Sequence, residues 1–216
     1  MEYGGDTGLH LACYGGHAAV VRVLLEGGAD VNCELQEVGE GGTETTRLHL
    51  AALGGHVEVV KQLLDVGATV DARQHAGKTS LHEAVDAGCV EVVRLLIDAG
   101  AHVEAVDSEN STPMHYAAYS GDVAVVGCLL DAGADTDAAD AKLCMPLHDA
   151  CRIGRPDAAE ALLETGADTH ARSETGSSPL HLACENVVLR PSFAPGRTSW
   201  PRTPKAARLP RSSAAA

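Results

Sequence analysis

A histidine returns along this 216-residue chain at nearly fixed distance: His10, His49, His82, His115, His148 and His181. The last four gaps are 33 residues each and the first is 39. Each histidine follows a short lead-in: Gly-Leu-His at 8–10, Arg-Leu-His at 47–49, Ser-Leu-His at 80–82, Pro-Met-His at 113–115, and Pro-Leu-His at 146–148 and 179–181. A period this long sets the architecture before any local structure is read. It also means that a conspicuous residue can recur for stacking reasons rather than for chemistry.

Aligning the chain on the histidines brings out further columns. A Gly-Ala pair stands 18 residues after each of the first five, from Gly28-Ala29 to Gly166-Ala167. Paired aliphatics precede it, such as Val59-Val60 and Leu63-Leu64, or Val125-Val126 and Leu129-Leu130. Pairs four apart make one apolar stripe on a helix, with Glu58, Lys61 and Asp65 on the other face. A shorter helix precedes this one, over 47–53 in the second unit, and Gly54-Gly55 ends it by supplying a positive φ. Thr46, Thr79, Thr112 and Ser178 stand at helix N-caps. Pro113, Pro146 and Pro179 follow in the first turn, where a missing N–H costs nothing. Each unit thus reads turn, short helix, tight glycine turn, longer helix. Neither helix can bury its stripe alone, so the next unit must cover it.

The pattern resembles the ankyrin repeat, with its 33-residue period and Thr-Pro-Leu-His-x-Ala signature. The carrying residues are Ser-Thr-Pro-Met-His-Tyr-Ala at 111–117, Gly-His-Val-Glu-Val-Val-Lys-Gln-Leu-Leu at 55–64 and Gly-Gly-Ala-Asp-Val-Asn at 27–32. The resemblance implies an all-α solenoid over residues 2–188, of helix-turn-helix units joined by turn or hairpin loops. Five full repeats (about 2–34, 41–73, 74–106, 107–139 and 140–172) and a partial one (173–188) are expected.

Three departures stand out. The first gap is six residues too long, which places an inserted, solvated loop at about 35–45, rich in glycine and glutamate. In the fifth unit, Pro156, Ala158 and Ala159 replace larger aliphatics or helix formers. Two valine-to-alanine losses cost roughly 1–3 kcal/mol if buried. In the sixth unit, Val-Val-Leu-Arg-Pro follows Asn186 where a second helix should begin. Residues 189–216 hold five of the nine prolines, the only Phe (193) and the only Trp (200), without periodicity, and are expected to be a disordered basic tail.

Composition narrows the function classes. Aromatics are only 3% of residues, so the core must be built from Leu, Val and Ala. No apolar run is long enough for a transmembrane helix, and the N-terminus lacks a secretory signal. Seven cysteines, an odd number with no Cys-x-x-Cys, read as reduced thiols in a cytoplasmic or nuclear protein. The net charge of −14 is uneven: residues 1–188 hold ten basic and 30 acidic residues, hence −20, while the tail carries six basic and no acidic ones. An acidic body repels nucleic acid and anionic lipid, so neither a nucleic-acid nor a membrane partner is expected.

The histidine column is no metal array. Packed helices sit about 8–10 Å apart, whereas zinc takes nitrogens at about 2.0–2.1 Å. The resemblance instead implies that these histidines hydrogen-bond within and between the turn regions. The same spacing argues against disulfides: Cys13, Cys151 and Cys184 each sit three residues after a column histidine, as small packing residues, and Cys144 is the better candidate for an exposed thiol. Gly-x-Ser-x-Gly, a phosphate-binding glycine loop and His-Glu-x-x-His are all missing from the sequence. No enzyme activity, cofactor or metal is therefore expected.

What remains is surface. By the resemblance, partners bind a concave face made of turn tips and short helices, and the candidate contact residues are Tyr14, Leu53, Lys78, Asp86, Glu109, Tyr116, Tyr119, Lys142 and Arg152. Tyrosine offers contact area at low entropic cost. The expected role is a non-catalytic scaffold, a monomer, binding a partner protein with a basic surface. Two other readings are a fragment of a larger adaptor or enzyme whose effector domain is missing, and a truncated product without independent function.

Overall fold

The computed structural model describes residues 7–35, 45–74 and 76–189. Within them, helices α1 (Thr7–Tyr14), α3 (Arg47–Leu53), α5 (Ser80–Asp86), α7 (Pro113–Ser120), α9 (Pro146–Ile153) and α11 (Pro179–Leu189) form one layer, each packed on the next. A second layer holds α2 (Ala18–Glu26), α4 (Val57–Asp65), α6 (Val90–Asp98), α8 (Val123–Asp131) and α10 (Pro156–Glu164). Each of these packs on its own first-layer helix as well as on its neighbours. The result is the expected all-α solenoid. Among the described residues no helix is long and apolar enough to cross a membrane.

The stripes read from sequence are the core. Val59, Val60 and Leu63 on α4, Val92, Val93 and Leu96 on α6, and Val125, Val126 and Leu129 on α8 are buried. Alanines 51, 84, 117 and 150 give the first-layer helices the small face that lets their backbones approach closely, and all four are buried. The intervening Glu58, Lys61 and Asp65 stay exposed.

The histidines tie successive units together. The ring of His82 accepts at Nδ1 from the backbone N–H of Thr79 (3.1 Å), at the start of its own helix, and donates from Nε2 to the carbonyl of Ser111 in the next turn (3.2 Å). His49 reaches the Lys78 carbonyl (3.1 Å), His115 that of Cys144 (3.0 Å) and His148 that of Ser177 (3.2 Å), each 29 residues ahead. His10 reaches the Cys33 carbonyl at 3.2 Å. His181 caps its own helix through Ser178 Oγ (2.6 Å).

Each irregular unit has a local cause. The long first interval begins and ends in a two-residue antiparallel pair, β1 (Glu34–Leu35) with β2 (Thr45–Thr46), in register Glu34↔Thr46 and Leu35↔Thr45. The described residues that flank the insertion are therefore paired with each other. Arg47, at the position later held by proline, is buried and donates from its guanidinium to the carbonyls of Asp30 and Cys33. In the fifth unit α10 still forms, with Ala158 and Leu162 buried.

Helix α11 runs for 11 residues where its counterparts have seven or eight. The earlier first-layer helices stop at a glycine in the left-handed region, Gly55 (φ 67°), Gly88 (φ 67°), Gly121 (φ 80°) and Gly154 (φ 77°). In register with these stands Val187, a β-branched residue for which that conformation is a steric outlier. Nothing halts the helix there. The expected disordered tail, beyond Leu189, lies outside the described residues.

Candidate functional site

The turn tips between units stack in a row. The N–H of Ser108 donates to the Ala76 carbonyl (2.9 Å), that of Ala141 to Glu109 (2.8 Å) and that of Glu174 to Lys142 (2.8 Å). Each tip is stiffened from within. Asp107 Oδ1 accepts from the N–H groups of Glu109 and Ser111, and Asp140 Oδ1 from those of Lys142 and Cys144, at 2.7–2.9 Å. One residue per tip takes a left-handed conformation: Gly77 (φ 74°), Asn110 (φ 60°), Leu143 (φ 56°) and Gly176 (φ 78°). That twist turns the carbonyl of the next residue, 78, 111, 144 or 177, toward the waiting histidine. The histidine column and the tip geometry are two halves of one device.

Between this row of tips and the first-layer helices α5, α7, α9 and α11 lies a groove of about 600 Å³. Six of the nine sequence candidates line it: Asp86, Glu109, Tyr116, Tyr119, Lys142 and Arg152. Tyr119 is about half exposed (51%), and the Arg152 guanidinium lies 5.7 Å from its ring centroid. Arg152 Nη2 also donates to Asp149 Oδ1 at 2.6 Å. Lys142 Nζ lies 3.4 Å from Glu109 Oε2, a bridge between adjacent tips.

Tyr116 is held rather than free. Its hydroxyl donates to Asp107 Oδ2 (2.7 Å), its ring meets His82 edge-on at 5.6 Å, and Lys78 Nζ sits 4.5 Å over its centroid. Lys78 therefore does not line the groove; it fastens Tyr116 from behind and lies 3.9 Å from Asp86 Oδ2. Tyr14 and Leu53 lie elsewhere, exposed at the ends of α1 and α3. The carbonyl of Tyr14 accepts from His56 Nε2 at 2.8 Å.

Titration follows these contacts. Burial lowers the His82 imidazole to about 4, against hydrogen bonding by Ser111, and burial lowers His49 as well. Burial alone would raise Asp107, but the hydrogen bonds from Tyr116, Ser111 and Glu109 outweigh it and hold the carboxyl below its ordinary range. Burial, then the hydrogen bond to Asp107, pushes the Tyr116 hydroxyl up. Cys144 lines the groove but is half-buried, and burial followed by Asp140 and Asp149 raises its thiol, so it is no ready nucleophile.

Sequence reading missed Asp140, Asp149 and Leu182, which also line the groove. Asp149 carried a signal: it directly follows a column histidine, as Glu83 follows His82. Leu182 stands in the same column, directly after His181, but in the partial unit. The five acidic lining residues outnumber the two basic ones. No group of three or more histidine, cysteine or acidic residues is arranged to hold a metal among the described residues. The groove thus presents aromatic area, acidic charge and bridged tips.

The sequence profile of a family described as ankyrin repeats matches residues 9–107, 48–140 and 114–190. No curated protein matches the sequence.

Proposed function

Because the chain belongs to the ankyrin-repeat family, whose repeats are generally protein–protein interaction modules, we propose that it is a non-catalytic scaffold whose groove over α5, α7, α9 and α11 receives a partner protein. The carrying observation is that Tyr119, Glu109, Lys142 and Arg152 project into a groove of about 600 Å³ from successive turn tips and helices. Little in the core depends on them. The repeat needs its histidines, alanines and valines, whereas these positions differ from unit to unit.

The partner surface is basic. The array carries −20 before the tail, and acidic residues predominate in the groove. Such complementarity acts on encounter rate and partner choice more than on raw affinity. Tyr119 is the best anchor, being exposed, aromatic and backed by Arg152.

The test is affinity purification with the full chain and with a Tyr119→Ala/Asp86→Ala variant. Both changes are at exposed positions, so thermal stability should hold. Losing an anchor of this kind weakens a partner by about 2 kcal/mol or more, roughly thirtyfold. Unchanged affinity for every partner recovered by the unaltered chain would refute the proposed face.

A further inference from the structure

We infer that the first occupant of the groove is the chain's own C-terminal segment, residues 190–216, bound in cis until a basic partner displaces it. The inference rests on the groove being a protein-binding surface, as proposed above, and adds what covers it.

Three observations converge. The first is charge. The groove is lined by Asp86, Glu109, Asp140, Asp149 and Glu174, with Lys142 and Arg152 as its only basic lining residues. Both of these lie in ion pairs, with Glu109 and Asp149, so their repulsion of an incoming cation is muted. The segment beyond α11 holds Arg190, Arg197, Arg202, Lys205, Arg208 and Arg211, with no acidic residue. It is the one stretch whose sign is opposite to that of the array.

The second is apolar content. The chain's only Phe and only Trp, Phe193 and Trp200, are interleaved with those basic residues. The groove offers Tyr116, Tyr119 and Leu182 to meet them. Arginines also stack on tyrosine faces, and Arg152 already does so over Tyr119.

The third is reach. Helix α11 itself lines the groove through Leu182 and ends at Leu189. The segment starts one residue later. Extended at about 3.3 Å per residue, its first ten residues reach about 33 Å, more than the roughly 24–30 Å spanned by four helices packed about 8–10 Å apart. A tether this short gives an effective concentration on the order of millimolar. Weak cis contacts suffice to fill the groove, whereas a partner in trans must compete with them.

Trp200 supplies the readout, since the chain has no other tryptophan. In the full chain at about 0.01 M salt, its emission should be blue-shifted and shielded from acrylamide relative to the free 190–216 peptide. Both differences should vanish at about 1 M salt, where the screening length falls to about 3 Å. A Glu109→Lys/Glu174→Lys variant should release Trp200. A Glu58→Lys/Glu91→Lys variant, of equal charge change but on the second-layer helices, should leave it shielded. Changing Arg197, Arg202, Lys205 and Arg208 to glutamine should tighten binding of a synthetic arginine-rich peptide about tenfold, by freeing the competent state.

Trp200 as quenchable in the full chain as in the free peptide overturns the inference. So does equal release by the two charge variants, which would mark diffuse attraction rather than occupancy of the groove. If the arginine-rich peptide still binds in a Tyr119-dependent way in either case, the groove remains a binding surface and only its cis occupant is rejected.

Discussion

His82 must be neutral to do its work. Its Nδ1 accepts from Thr79 and its Nε2–H donates to Ser111, a pattern that only one neutral tautomer satisfies. Protonation would turn the acceptor into a donor facing an N–H. The folded value of about 4 lies below the ordinary 6.5, so the unfolded chain takes up this proton first as pH falls. Stability from His82 is then complete above about 6.5 and lost progressively between 6.5 and 4, a loss of about 3 kcal/mol in all. His49 acts in the same direction. Glu83, raised by burial, has the opposite sign. NMR titration of the ring separates these contributions: His82 should stay neutral down to about pH 4, and a midpoint near 6.5 would contradict the account. Leu143 shows the reverse situation, a residue at odds with its backbone. It takes φ 56° where the other tips use Gly77, Asn110 and Gly176, and it is about half exposed. The left-handed region costs a residue such as leucine about 1–2 kcal/mol, part of which glycine would return as unfolded-state entropy. Leu143→Gly should therefore raise stability in urea by about 0.5–1 kcal/mol, and a loss would show that Leu143 packs more than its exposure indicates.

Helices were legible in this sequence because each boundary has a local chemical cause. The span 47–53 read from the pattern is the observed α3, fixed by Thr46 at its N-cap and glycine at its end. The same logic explains what went unread at α11, where Val187 cannot supply the stop that Gly55 or Gly121 does. A second column was also present and overlooked. Asn32, Asp71, Glu104 and Asp137 recur with the same 39- and 33-residue spacings as the histidines. Each accepts from a backbone N–H of the next unit, at Thr69, His102, Asp135 and Asp168, over 2.8–2.9 Å. Because the residue type varies, the column hides from a search for identical letters. In the first layer, α9 keeps its first-turn proline, Pro146, but not its hydroxyl cap: Met145 holds the N-cap, with extended backbone, where Thr46, Thr79 and Thr112 stand in other units. Met145→Thr should add a side-chain cap and stabilise the chain to urea by about 1 kcal/mol. No gain would mean that the half-buried methionine already contributes as much by packing.

At the scale of the whole molecule, stacking converts unrelated positions into a surface. Glu109, Lys142 and Glu174 lie about one period apart in sequence, yet backbone hydrogen bonds set their tips side by side. The candidate residues were chosen because variation inside a rigid repeat marks positions the framework does not need, and six of the nine line one groove. Their assembly was not legible, since nothing in the sequence records that Tyr14 and Leu53 lie away from a groove whose walls come from α5, α7, α9 and α11. Tyr116 was read as a candidate contact residue, and its hydroxyl is tethered to Asp107 within the groove wall. The central claim is that a partner protein engages the turn-tip face. Its most direct test is a hydrogen-exchange footprint of the full chain with and without the recovered partner. Added protection should fall on the tips 107–111 and 140–144 and on α7 and α9, leaving α4, α6 and α8 unchanged. Protection gained on α4, α6 and α8 alone would place the partner on the opposite layer and contradict the account.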